Sequence, residues 1–447
     1  MVSIAQAVDR IKEDPRAAIS PSIIENVCVE LGLPWRNTKL TPPVTVALLA
    51  QQVLAGNVSN PELIRIAGLD VTAAAYCTAK GRLPIEVVEL ISRRVCQAVE
   101  RRSPSEAGPL WKGHRTWHID GSSFSMPDTE ELRTHFGQPG KQKPGCGFPV
   151  AHLLCLFNAG TGLIKEVVAA PLRTHDLKDI PQMLPHLTAG DVAIGDAAFG
   201  SYFHLASLQK QGVFGVFPNH QARIVNFRPG RKHVKAGHNR RKGQPTSRWI
   251  RKLGPDDQLV EYVKPAQCPP WMDRPTYEAM PAAITVREIR RTVYKSGYRP
   301  KVLVIVTTLL DPDIYPADEI VALLKGRWDV EGNLRDLKTT MGMEILRCQS
   351  VGGVLKELWT FTLIYNLVRV IMLEASRRQG VALDRISFAD ALYWMRHARP
   401  GDSLPDLIEN PQRPGRVEPR AVKRRPKCYA RLTKSRAEMR KALTKRR

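Results

Sequence analysis

The chain has 447 residues, enough for about three domains of roughly 150 residues each, and carries 67 Lys and Arg against 43 Asp and Glu for a formal net charge of +24. A hydrophobic content of 43% excludes a disordered polycation and provides material for packed cores. The imbalance calls for a polyanionic partner. It is concentrated: 221–252 holds 11 Lys or Arg and no acid, 412–447 holds 15 against Glu418 and Glu438, and the rest is neutral.

The first residues, MVSIAQAVDRIKEDPR, bring charges too early for a secretory h-region. The longest apolar stretch, from Trp359 to Leu373, is interrupted by Asn366 and Arg369 and is too short to span a bilayer. No membrane is expected. Eight scattered cysteines form no CxxC pair and have no His at zinc-ligand spacing, the usage of a reduced compartment.

Residues 1–107 read as a helical domain: ENVCVELGL, PPVTVALLAQQVLAG and LPIEVVELISRRVCQAVE place apolar residues three and four apart. The period then changes to two. RTWHIDGSSFSM alternates, and FPVAHLLCLFNAGTG and LIKEVVAAP read as two more strands around a GTG turn. HDLKDIPQMLPHL is predicted helical, DVAIGD a short buried strand, SYFHLASLQKQG a helix stopped by Gly212, and VFGVFP another strand. These elements make 108–217 the first part of a mixed-sheet core. A basic, β-rich insertion follows over 218–299. The core resumes over 300–390 with the strand KVLVIVTTLL, a long helix from Ala317 to Met341 and an apolar helix stopped by Gly380. A basic region, 391–447, closes the chain.

Asp120 is expected at the end of the first strand and Asp196 at the end of DVAIG; with those two strands adjacent, both carboxylates emerge side by side. An Asp at a strand end is more often a turn former or a helix cap. On the long helix, Arg327, Glu331 and Lys338 stand at i, i+4 and i+11, one stripe opposite the apolar stripe of Leu323, Val330, Leu334, Leu337 and Met341. Such a charged stripe is usually an exposed ion-pair ladder worth tenths of a kcal/mol. Gly326 and Gly332 each cost about 1 kcal/mol relative to Ala inside a helix and make sense where a substrate backbone must approach Glu331 closely. Three carboxylates together suit Mg²⁺. His118 shares the face of Asp120, where ordinary packing is its expected role.

These blocks resemble the DDE-type bacterial transposases of the insertion-sequence-four family. The family signature is Tyr, two residues, Arg, three residues, Glu, six residues and Lys. Arg327, Glu331 and Lys338 match it, and Leu324 stands where the tyrosine belongs. DGSSFSMPDTEELRTHFG resembles the first-aspartate block and AGDVAIGDAAFGSYFHLASLQKQG the second. RWDVEGNLRDLKTTMGMEILRCQSVGGVLKELWTFTLIYNLVR resembles the third, with its YN and L.R elements. The resemblance implies an RNase H-like mixed-sheet core and a two-metal site of Mg²⁺, for which Mn²⁺ substitutes, held by Asp120, Asp196 and Glu331. It implies cleavage of DNA at terminal inverted repeats and strand transfer into target DNA, by a homodimer in the bacterial cytoplasm, at the nucleoid when bound. Arg327 and Lys338 inherit DNA contacts, and residues 1–107 inherit binding of the DNA ends.

The basic run is expected to track phosphates through Arg240, Arg241, Lys242, Arg248, Arg251 and Lys252, with Trp249 or Trp271 stacking on an unpaired base. The basic tail is expected to act as a phosphate-neutralising arm. The alternatives are an RNase H-like nuclease without strand transfer and an inactive DNA-binding derivative of a transposase.

Overall fold

The structure is a computed structural model and describes all residues except 1–2, 103–107, 141–142, 144, 173, 175, 221–222, 234–246, 295–299, 328, 412–431 and 445–447. Six helices come first: α1 (Ile4–Asp9), α2 (Pro21–Glu30), α3 (Pro42–Leu54), α4 (Asn60–Ala67), α5 (Ala73–Arg82) and α6 (Ile85–Glu100). Proline at the first helical turn starts α2, α3 and α4, where its missing N–H costs nothing.

The central part runs β1 (Thr116–Ser125), α7 (Glu130–Phe136), β2 (Val150–Asn158), β3 (Ile164–Pro171), α8 (Asp176–Met183), β4 (Val192–Ile194), α9 (Tyr202–Lys210) and β5 (Phe214–Pro218). Then come β6 (Arg248–Gly254), β7 (Asp257–Val263), α10 (Arg274–Glu278), β8 (Ala283–Val293) and β9 (Lys301–Thr307). The C-terminal part holds α11 (Ala317–Gly326), α12 (Asp329–Arg335), α13 (Val351–Gln379), α14 (Phe388–His397) and α15 (Arg436–Thr444).

Among the described residues the strands form one mixed sheet of nine, in the order β3-β2-β1-β4-β5-β9-β8-β7-β6. β1 is antiparallel to β2 and parallel to β4, so the expected adjacency of the first and fourth strands is present. The described strands of the basic segment do not form a sheet of their own. β8 pairs with β9 over seven residues and carries β7 and β6 outward as an extension of the core.

The helix expected from Ala317 to Met341 is not continuous. α11 ends at Gly326, α12 begins at Asp329, and Asp336–Thr340 is a π-helical turn. Gly326 supplies no helix-favouring side chain at the break. Val330, Leu334, Leu337 and Met341 are buried as the apolar stripe predicts, while Leu323 is only partly buried against a different cluster, that of β4, β5 and α11.

α13 is the axis of the molecule. Its 29 residues are long and apolar enough by length and composition to cross a membrane, but 89% of the apolar window is buried inside the protein, against α6, α3 and α14. A single hydrophobic cluster joins α1, α2, α3 and α6 to α13 and to β1–β3. Gly380 ends the helix in the left-handed conformation, φ 66°. The YN and L.R residues of α13 hold the GTG turn between β2 and β3. The Asn366 side chain accepts from Ile164 N–H and donates to Ile164 C=O, both at 2.8 Å. Tyr365 donates to Gly162 C=O at 3.0 Å, and Arg369 donates twice to Thr161 C=O. A Cβ at Gly162 would overlap the Arg369 guanidinium, which explains glycine there.

Candidate active site

Asp120 lies inside β1 rather than at its end, because Gly121–Ser125 continue to pair with β2. Its side chain is 17% exposed. Its Oδ1 accepts the Gly121 N–H at 2.8 Å. Gly121 lacks a side chain because a Cβ there would sit 2.8 Å from His152.

Asp196 follows β4 and performs the capping role common at strand ends: its Oδ1 accepts from Ala198 N–H at 2.8 Å, at the start of a 3₁₀ turn over Ala197–Phe199. Gly195 makes the approach possible. A Cβ there would lie 2.6 Å from Phe199 and 3.1 Å from the Ile119 carbonyl oxygen, so any side chain would push β4 away from Asp120's strand.

Two contacts fasten the signature helix to β1. The Arg327 guanidinium pairs with Asp120 Oδ2 at 3.3 Å. Eleven residues on, Lys338 donates from Nζ to Ser122 Oγ at 3.0 Å and to Ser123 C=O at 2.7 Å. The π turn lies where Lys338 makes this reach. Glu331 sits between the two anchors on α12, exposed.

The electrostatics tie the three acids together. Burial pushes the Asp120 carboxyl above its usual range, and Asp196 and Glu331 push it the same way, against the Gly121 N–H and Arg327. His118, two residues earlier on the same face, is buried and held neutral, lowered to about 4 by burial and by Arg327. Among the described residues no three His, Cys, Asp or Glu side chains are gathered closely enough to form a ready-made metal cage. Asp196 and Glu331 each act on Asp120 through space, and Arg327 supplies the positive charge beside it.

Two clefts adjoin the group. One of about 560 Å³ is lined by Asp196, Leu324, Lys325, Arg327, Lys301 and Pro218; the other, about 970 Å³, by Glu331, Gly332, Asp336 and Arg369 among others. Leu324 is buried in the core beneath the first cleft. A Cβ on Gly326 would meet nothing, and one on Gly332 only the tip of Arg335 at 4.0 Å. Internal packing therefore does not require either glycine.

The other basic residues lie elsewhere. Arg248, Trp249, Arg251 and Lys252 are on β6, the outer edge of the sheet, five strands from β4 and so roughly 24 Å across at about 4.8 Å per strand. Arg248 pairs with Glu261, Arg251 and Lys252 are exposed, and Trp249 is half-buried. Trp271 packs edge-on against Phe203 at 5.9 Å, a local packing role. Arg240, Arg241 and Lys242 lie outside the described residues. Sequence reading missed α7, although the run Asp128-Thr129-Glu130-Glu131 carries the signal: Thr129 caps the helix and acids fill its first turn.

Comparison with known proteins places the chain in a family. Residues 111–367, more than half of the chain, match the model of the transposase DDE domain, and the chain belongs to that family. It is 25% identical over 384 residues to the transposase InsG for insertion sequence element IS4 of Escherichia coli K12, covering 80% of this chain and 78% of that one. It is 28% identical over 148 residues to the putative transposase InsZ of the same organism, covering 33% of this chain and 49% of that one. The protein is a DNA transposase of the insertion-sequence-four family. Among solved structures, the cryo-EM structure of a piggyBac transposase synaptic complex with hairpin DNA covers 86% of this chain and 79% of its own, at 10% identity and a TM-score of 0.43.

Proposed function

We propose that the protein binds the ends of an insertion sequence, cleaves DNA there and transfers the cut strand to a target, with Asp120, Asp196 and Glu331 as metal ligands and Arg327 and Lys338 positioning the DNA. We read β3-β2-β1-β4-β5 as an RNase H-like core. The observation that carries the proposal is the pair of anchors on β1, Arg327 to Asp120 and Lys338 to Ser122 and Ser123, which bracket Glu331 against the strand that bears Asp120.

The donor set is three carboxylates, oxygen ligands of the kind that suit Mg²⁺ or Mn²⁺. Two such ions, when bound, activate the attacking water or 3′-hydroxyl and stabilise the leaving oxygen. The protein's own part is orientation. The Ala198 N–H fixes one oxygen of Asp196, and the Gly121 N–H fixes one oxygen of Asp120. A phosphodiester approaching between β1 and α12 has Arg327 on one side of Glu331 and Lys338 on the other, and the bare backbone at Gly326 and Gly332 leaves it room.

The substrates are double-stranded terminal inverted repeats and target DNA, with a homodimer joining two ends. The helices of 1–107 are assigned to the ends and the basic edge at β6 to phosphates further along. The test is a nicking and joining assay on cognate end DNA in Mg²⁺. Asp196→Asn should cut at least about a hundredfold more slowly, the scale of losing one group that stabilises transition-state charge. Equal cutting by this variant rejects the mechanism, and cutting without joining of a pre-cleaved 3′ end leaves a nuclease.

A further inference from the structure

The C-terminal helix α15 is attached to the core at a defined place. Arg436, at its first position, pairs with Asp128 at 3.3 Å and donates to the Cys146 carbonyl oxygen at 3.0 Å. Its guanidinium stacks on Phe148 at 3.9 Å from the ring centre. Asp128 is nearly buried and also holds Arg133 at 2.8 Å, so one carboxylate fixes α7 and α15 together. Just before the helix, the Ser435 side chain packs where a Cβ on Gly145 would stand, 2.8 Å away. Four contacts of different kinds at one guanidinium and its neighbour make a built socket.

The charge on α15 is left for a partner. Glu438, its one acid, is turned back into a capping box: its carboxylate accepts the Ser435 N–H at 3.2 Å and its own N–H donates to Ser435 Oγ at 3.1 Å. Lys434, Arg440 and Lys441 are exposed, and among the described residues none of them forms an ion pair. Arg440 follows Arg436 at i+4 and Lys441 adjoins it, so the bases extend along the helix from its socket. The socket lies just beyond β1, whose residues Ser122 and Ser123 are held by Lys338. Arg327 at Asp120, Lys338 at Ser122 and Ser123, and Arg436 at Asp128 thus take their anchors in order along β1 and the segment that follows it.

We propose that α15 is a clamp for the phosphate backbone of double-stranded DNA, set in position by Arg436, which grips the duplex beyond Lys338 as it leaves the active site. The proposal rests on the reading of that site as a DNA site. Duplex DNA is the partner that fits, because it carries one negative charge per about 1.7 Å of axis, and a nine-residue helix spans about 14 Å.

The test uses the full chain and a short fluorescent duplex carrying its element's terminus, with affinity measured as a function of salt. Arg440→Ala with Lys441→Ala should reduce the slope of log K against log salt by nearly 2, at about 0.9 for each phosphate no longer neutralised. Arg436→Ala should reduce it by at least as much, although Arg436 itself touches protein rather than DNA, because the whole helix loses its place. An unchanged slope in both variants, with wild type binding normally, overturns the clamp. A changed sedimentation of the DNA-free protein with an unchanged slope also overturns it, in favour of a contact between copies. Absence of any salt-dependent binding in wild type would instead remove the DNA reading beneath it.

Discussion

Gly195 sets how closely the two aspartate-bearing strands approach. A Cβ placed on it overlaps Phe199 and crowds the Ile119 carbonyl, and the second of these is backbone that cannot rotate away. Gly195→Ala is expected to cost about 1–3 kcal/mol of stability, as overpacking does, and to lower DNA cleavage more than the stability loss explains. Thermal unfolding beside a nicking assay checks both, and a fully active variant would show that Asp196 tolerates displacement. At Asn366, which is completely buried, the two hydrogen bonds to Ile164 have no replacement. Asn366→Leu should destabilise by about 2–4 kcal/mol, since two buried backbone groups are left unmet, read as a fall in denaturation midpoint. The placing of Asp120 on β1 and of Asp196 just after the adjacent β4 was legible in the sequence because strand periodicity is a short-range pattern, although Asp120 lies inside its strand rather than at the end. The glycines that let those residues converge were not: what Gly195 avoids is a phenylalanine four residues on and a carbonyl on another strand.

Among the elements, the join between α11 and α12 separates packing from function most cleanly. A methyl group on Gly326 meets nothing, so Gly326→Ala should leave stability unchanged or raise it by up to about 1 kcal/mol through helix propensity. If the break serves DNA, activity should fall at the same time; a variant that is both more stable and fully active removes that role. The helix α6 is pinned to β3 by a second device. Glu166 is nearly buried, and Arg93 holds both its oxygens, at 2.9 and 3.1 Å, with His186 at 3.0 Å. Burial alone would raise this carboxyl, but the hydrogen bonds from His186 and Arg93 outweigh it and hold the group below its usual range. The sign follows: Glu166 contributes stability that is complete above the ordinary Glu value near 4.3 and is lost as pH falls through the lower folded value. Arg93→Ala should therefore destabilise by about 2–3 kcal/mol at neutral pH and flatten the acid limb of the stability curve, measured by denaturation between neutral and acidic pH. Sequence reading found most elements of the mixed sheet through their periods. It drew one helix from Ala317 to Met341, because apolar spacing alone does not register an interruption at Arg327 or a π turn.

At the scale of the molecule, the sheet and α13 remove the boundaries that composition suggests. The basic segment reads as an insertion in charge and proline content, yet its strands extend the core sheet without interruption, a pairing that sequence patterns do not encode. The first hundred residues read as a helical unit, yet α3 and α6 close onto α13, more than 250 residues later. A fragment ending at residue 350 is expected to remain unfolded over α1–α6 as well as over the sheet, observed by circular dichroism and protease digestion. A stable helical fragment from 1–107 alone would contradict this.

The late arrival of α13 also has a meaning in time. At about 5–20 residues per second of synthesis, the helices α1–α6 wait roughly 15–55 s after leaving the ribosome before residues 351–379 follow. During that interval the faces of α3 and α6 that pack on α13 lack that cover. The newborn enzyme is then most exposed to chaperones and proteases, and any ribosome that stalls before α13 releases a chain with nothing to close upon.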